Sequence, residues 1–197
     1  MTLSMHQFTS AHAGYRKSLE GWAKAGIRDV EPAANLLDEY LKTDTLASAK
    51  RVLTDNGLNI VSGAVGVTGR WEPNPNFSKN LDAFKKRCEQ FAELGAQLVY
   101  SPCVTAAKFE LDDYVKCLDN IRQAAEVHRQ FRLKVAAEFV RNSTFLASLP
   151  TALRLHREAA HPNFGILFDC YHFWSGPSKL EDMELIKQRE IISRPSE

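Results

Sequence analysis

Two acidic residues in this chain each end an apolar run. Gly165-Ile166-Leu167-Phe168 leads into Asp169, and His172 follows within one helical turn. Val135-Ala136-Ala137 leads into Glu138, one repeat unit earlier. Strand interiors avoid charge, so a carboxylate at such a place sits at the C-terminal edge of a strand. Open α/β sheets and α/β barrels build their sites at that edge. Carboxylates and imidazole are also ligands for divalent cations. The chemistry within reach of these side chains is acid–base catalysis and cation-assisted polarisation of an oxygen.

Each residue also has a plainer reading. Glu138 could pair with Lys134 or Arg141, and its flanks Ala137 and Phe139 make unpaired burial costly. Asp169 could be a strand-end carboxylate of the same kind. His172 could be a satisfied histidine beneath Tyr171 and Phe173. Glu31, at the end of an earlier strand, points at the same rim or caps the next helix. His12 and the loop from Gly69 to Phe77 around Trp71 cover the rim or form a solvated loop. Cys103 and Cys170, also at strand ends, read as small packing residues. His6, His128, His156 and His161 show no pairing that suggests a ligand set.

The elements that position these residues follow one grammar. An amphipathic helix ends at glycine, and a short apolar run starts at once. Gly26 precedes Ile27-Arg28-Asp29-Val30-Glu31, Gly57 precedes Leu58-Asn59-Ile60-Val61, and Gly95 precedes Ala96-Gln97-Leu98-Val99-Tyr100. Glycine closes the helix in the left-handed conformation, and the run after it reads as a buried strand. Leu81, Phe84, Cys88, Phe91 and Leu94 form one helical stripe, as do Tyr114, Leu118, Ile121 and Ala125, and Phe145, Leu149, Ala152 and Leu153. Pro150 bends the last of these helices or lies in its first turn. Ser178-x-x-Glu181 reads as a capping box that opens a final helix.

The sequence therefore predicts strands near 3–9, 27–31, 58–66, 97–101, 133–140 and 164–169. It predicts helices over 18–25, 36–56, 79–94, 111–129, 144–160 and 179–189. Strict alternation implies a parallel sheet. Six units over 197 residues average about 33 residues each, close to the roughly 31 of a (β/α)₈ barrel of ~250 residues. An open doubly wound sheet is the alternative, but no G-x-G-x-x-G follows any strand, which leaves a dinucleotide-binding version without support.

The bulk numbers narrow the classes further. A hydrophobic share of 44% is enough for a real core. A net charge of +1, without long runs of one sign, argues against nucleic acid and against a polybasic membrane surface. The N-terminus lacks the pattern of a secretory signal, and no apolar stretch approaches the ~18 residues of a bilayer span. The four cysteines show no C-x-x-C spacing and read as ordinary core residues. The expectation is a soluble cytoplasmic protein.

With these elements in place, the segments Val135–Val140, Thr144–Leu146 and Asn163–Phe173 resemble the xylose-isomerase-like TIM barrels. Within them they are most similar to the sugar-phosphate isomerase/epimerase group, which includes 2-keto-myo-inositol isomerase and hydroxypyruvate isomerase. In strand–helix order the resemblance runs from Leu3 to about Ile186. It implies a TIM barrel cut short after about six βα units, with one incomplete domain over 1–186 and a polar tail over 187–197. It implies a divalent metal (Mn²⁺, Mg²⁺, Co²⁺ or Zn²⁺) at the rim, with Glu138 and Asp169 as ligands, Glu138 also as acid/base, and His172 as a contact to substrate oxygens. The family's further histidine and glutamate ligands have no counterpart, so the metal is expected to bind weakly. Thr144 stands where ketose 3-epimerases carry a substrate-binding glutamate, which argues against that type.

The activity so implied is isomerisation or epimerisation of a sugar, sugar phosphate or inosose, by proton abstraction next to a carbonyl through an enediolate. The implied partner is a small sugar or polyol ketone, with neither nucleic acid nor membrane. The alternative is a catalytically inactive truncated barrel that serves as a binding or assembly module, or a gene fragment. Open strand edges favour self-association. A trinuclear-zinc repair endonuclease, from the same superfamily, is disfavoured by near-neutral charge and by scarce strand-end histidines.

Overall fold

A computed structural model describes residues 3–66, 77–187 and 190–191, with the side chains of 77–79 left aside. The strands are β1 (Met5–His6), β2 (Asp29–Glu31), β3 (Asn59–Ile60), β4 (Gly63–Ala64), β5 (Leu98–Pro102), β6 (Lys134–Glu138) and β7 (Phe164–Leu167). The helices are α1 (Gly14–Lys24), α2 (Ala34–Tyr40), α3 (Leu46–Asp55), α4 (Phe77–Leu94), α5 (Leu111–Gln130), α6 (Leu149–Ala159) and α7 (Cys170–Ser175). Two 3₁₀ segments, Gln7–Ala13 and Leu180–Leu185, complete the set.

Every strand pairing is parallel, in the order β1-β2-β3 and then β4-β5-β6-β7. The strand expected over 58–66 forms as two pieces, β3 on β2 and β4 on β5. A bridge between Ala33 and Ala64 joins the two pieces of sheet. The result is a six-position parallel wall with helices on its outer face, the wall of an α/β barrel.

Alternation along the strands decides what faces inward. Ala64, Leu98, Tyr100 and Ala136, with Leu167 against them, form a small cluster on the inner face. Val99, Val135, Ala137, Phe164 and Ile166 point the other way, into the large core under the helices. Glu138 is two residues beyond Ala136, so the period of two places it on the inner face at the strand's C-terminal end. The helix stripes pack as read: Phe84, Phe91, Ile121, Ala125, Leu149 and Leu153 are all buried. The helix–glycine–strand junctions also form, with φ of +84° at Gly26, +61° at Gly57 and +99° at Gly95. Gly63 has a different reason. A Cβ there would collide with the Phe91 ring, so only glycine lets α4 lie this close to β4.

Four expectations need correction. The first strand is short, because Gln7 leaves it for a 3₁₀ turn and plugs the base of the helices. Its buried amide donates to Tyr15 O at 3.1 Å and Ser18 Oγ at 3.0 Å, and it accepts from Ala33 N at 2.9 Å. The single helix expected over 36–56 is two helices, since Thr45 accepts from Ser48 N at 3.1 Å and caps α3. The helix over 144–160 starts at Leu149, with Ser148 as its cap and Pro150 in its first turn. The helix over 179–189 is the 3₁₀ segment Leu180–Leu185, opened by the Lys179 amide donating to Asp182 Oδ2 at 2.7 Å; Ser178 instead accepts from Leu149 N at 3.0 Å.

The stretch expected as a polar tail is attached at two points. Ile191 bridges Ile166 in parallel fashion, beyond β7. Glu190 is buried and takes a two-pronged ion pair from Arg157, at 2.7 and 3.0 Å. Cys88, Cys103 and Cys117 are buried, whereas Cys170 is exposed and not the packing residue expected. Among the described residues no helix is long and apolar enough to cross a membrane.

Candidate metal and substrate site

Glu138 is fixed by its neighbours on both sides. It lies in register with Pro102 of β5 and Leu167 of β7, and its carbonyl accepts from Cys103 N at 3.1 Å. Beyond β7 the chain turns at Asp169, whose carboxylate accepts from His172 N at 2.7 Å and caps α7. This helix was not foreseen. It swings His172 back towards the strand ends. Phe139, Phe168 and Phe173 back the arrangement with ring centroids 5.9 Å and 5.0 Å apart, and bind the ends of β6 and β7 to α7.

One carboxylate oxygen of Glu138, one of Asp169 and a ring nitrogen of His172 all lie within 4.8 Å of one another. The expected salt bridges of Glu138 do not form among the described residues. Lys134 is exposed, and Arg141 stacks over Tyr171 at 5.3 Å. Burial, then the charge of Asp169, then that of Glu31 push the Glu138 carboxyl up to about 7. The same three carboxylates surround Tyr100 and, after burial, hold its hydroxyl protonated. Glu31 thus faces the rim. Its carboxylate accepts from Ser4 Oγ and caps no helix, since α2 has Ala33 as its N-cap and no side-chain cap.

These residues fit a divalent cation on their own evidence. Three carboxylates crowd one rim, and a positive charge would relieve them. Nδ1 of His172 is buried without a hydrogen-bond partner, a cost of about 1–3 kcal/mol if left unmet. Two carboxylates and an imidazole suit Mn²⁺, Co²⁺ or Zn²⁺, with Mg²⁺ less favoured by the nitrogen.

A cavity of about 490 Å³ opens beside the cluster. Glu138, Asp169 and Tyr100 line one part, His6 and Phe8 another, and the Asp38–Arg87 ion pair a third. Thr144 does not enter it; its hydroxyl donates to Thr105 O at 3.2 Å and fixes a loop. His12 is exposed, and the Trp71 loop lies outside the described residues except for the start of α4. Sequence reasoning missed His6 as a residue lining this cavity. An isolated histidine ahead of a polar stretch gives no periodic signal.

Known proteins share this architecture. The chain is 24% identical over 189 residues to an inosose isomerase of Halalkalibacterium halodurans, covering 93% of this chain and 67% of that one. It thus spans about two thirds of the length of that relative. A crystal structure of the IolI protein with a bound zinc atom superposes with a TM-score of 0.83 at 20% identity, over 97% of this chain and 70% of the other. D-psicose 3-epimerase of Clostridium cellulolyticum, solved with D-tagatose, superposes with a TM-score of 0.73 at 15% identity, over 91% of this chain and 67% of the other. At these identities the superpositions establish a TIM-barrel fold. The sequence model of the xylose isomerase-like TIM barrels matches residues 19–193, and the chain belongs to that family.

Proposed function

We propose that this chain carries the proton-transfer part of a divalent-metal-dependent isomerase or epimerase site for polyhydroxy ketones such as inosose. The observation that carries the reading is the convergence of Glu138, Asp169 and His172 within 4.8 Å at the strand ends of this fold. The similarity to an inosose isomerase, and in fold to D-psicose 3-epimerase, supports this substrate class.

Glu138, Asp169 and His172 would hold the cation. When bound, the cation supplies Lewis acidity to a carbonyl and its neighbouring hydroxyl, worth several kcal/mol of charge stabilisation. Glu138 takes the proton from the carbon next to the carbonyl, and the substrate passes to an enediolate. The same carboxyl then returns the proton to a neighbouring carbon or to the other face. Asp169 keeps α7 in place through its cap and offers a carboxylate oxygen to the cluster. The aromatic backing of Phe139 and Phe168 keeps water from the outer side of the strand ends.

The test is direct. Zinc or manganese titrated into the chain should bind at one site, weakened at least tenfold by Glu138→Gln. Inosose should then be converted by the wild type and not by Glu138→Gln. Metal binding that ignores Glu138 and Asp169 would end the reading. Binding without turnover would favour the non-catalytic binding module.

A further inference from the structure

Among the described residues β7 is the last strand of the wall, so one side of it is an edge. Its sequence does nothing to protect that edge. Phe164-Gly165-Ile166-Leu167 carries neither a charge nor a proline, two of the devices that keep a strand from pairing with another chain. The chain covers the edge from elsewhere. Ile191 bridges Ile166 in parallel fashion and packs on the main core, and the Ile166 amide donates to Glu190 O at 3.3 Å.

One long backbone hydrogen bond adds little net stability. The stronger hold comes from α6. The Glu190 carboxylate accepts from Arg157 Nε at 2.7 Å, from Arg157 Nη2 at 3.0 Å and from the Lys187 amide at 2.7 Å. Arg157 Nη2 also donates to Leu185 O at 2.6 Å. One guanidinium thus fastens the chain to α6 on both sides of Lys187. The pair is forked and charge-assisted, and the Glu190 side chain keeps only 9% of its surface exposed. Without Arg157 a buried carboxylate stands unpaired, and its favourable response is to move into water. Ile191 is the next residue, so Glu190 takes it along. The cover is held or released as one piece.

We propose that the Arg157–Glu190 pair is a latch that holds Glu190 and Ile191 over the edge of β7, and that its release frees this edge to pair with β7 of a second copy of the chain. The second copy fits because the edge is complementary to itself. Two copies related by a two-fold axis set Phe164–Leu167 antiparallel to its own twin. With no charged residue on the strand, no like charges are opposed across that pairing. The closed latch therefore acts as a guard against self-association at this side of the wall.

The experiment uses the full chain. Arg157→Ala and Glu190→Ala should each speed amide exchange at Ile166 at least about tenfold, while amides of β5 and β6 keep their wild-type rates. Light scattering over a concentration series should show both variants shifting reversibly towards a dimer, relative to wild type at the same concentration. Lys42→Ala, which breaks the exposed pair with Glu39, should change neither reading. Arg157→Lys keeps the charge without the fork and should fall between wild type and Arg157→Ala. Fast exchange at Ile166 with an unchanged mass overturns the proposal, because the freed edge does not pair. Wild-type protection of Ile166 in both alanine variants overturns it too, because the pair is then not what holds the cover. Irreversible aggregation with faster exchange throughout β5, β6 and β7 also overturns it and marks a general loss of stability. Should both alanine variants fail to fold, Arg157→Lys decides by the same two readings.

Discussion

The carboxylate of Asp169 receives the backbone amide of His172 at 2.7 Å, so one side chain both faces the metal cluster and starts the helix that carries its neighbour in that cluster. The two roles separate by substitution. Asp169→Asn keeps a capping oxygen and loses the charge, whereas Asp169→Ala loses both. Thermal melting should show Asp169→Asn near wild type and Asp169→Ala destabilised by about 1 kcal/mol. Calorimetry with zinc should show both weakened. Equal destabilisation of the two would mean that the cap is not what holds α7.

Glu138 should destabilise the metal-free chain at alkaline pH. Its carboxyl is raised from an ordinary 4.5 to about 7 in the folded state. The folded chain therefore holds this proton more tightly than the unfolded chain. Its contribution is most favourable below about pH 4.5 and is lost as pH rises through 7. The loss is roughly 2–3 kcal/mol. Glu138→Gln removes that penalty, so its melting temperature should exceed wild type by several degrees at pH 8 and match it near pH 4. The same difference at both pH values would sink this account.

Metal uptake must displace the Glu138 proton. Apparent affinity for zinc or manganese should rise close to tenfold per pH unit below 7 and flatten above it, with about one proton released per ion at pH 6. In Glu138→Gln this steep dependence should disappear. Calorimetry in buffers of different ionisation enthalpy counts the protons.

Gly63 leaves no room for a methyl group against Phe91. Gly63→Ala should cost about 1–3 kcal/mol by overpacking, measured by urea denaturation. Phe91→Leu in the same chain should return part of that loss, because it removes the ring that the new Cβ meets. Additive costs in the double variant would show that the two residues are not coupled.

Much of this was legible in the chain. The helix stripes, the junction glycines and the strand-end carboxylates Glu138 and Asp169 carry local signals, and each is found where the sequence puts it except Phe145, which lies ahead of α6. What escaped notice depends on contacts between distant segments. α7 is six residues of mostly aromatic, weakly helical sequence, and it forms because Asp169 caps it and Phe173 is buried. Two junctions also break the glycine grammar: Arg132 and Ala160 take φ of +59° and +50° where glycine would be easier, and no sequence pattern announces them. The break between α2 and α3 falls at the polar stretch Lys42-Thr43-Asp44, where Thr45 caps α3, and the helix expected over 36–56 runs straight through it. His6 had no signal at all, because its position in the cavity comes from pairing with β2 and from the ring of Tyr100, far along the chain.

The ring of carboxylates around Tyr100 has a kinetic consequence. Glu31, Glu138 and Asp169 act on one buried phenol from three strands, so their fields add inside a cavity with low-dielectric walls. Such a funnel draws cations inward before any ligand bond forms. Capture of a divalent ion would be diffusion-assisted and slowed by added salt, while its release, governed by the bonds themselves, would keep its pace. The rim would gather its ion quickly even where it holds that ion loosely.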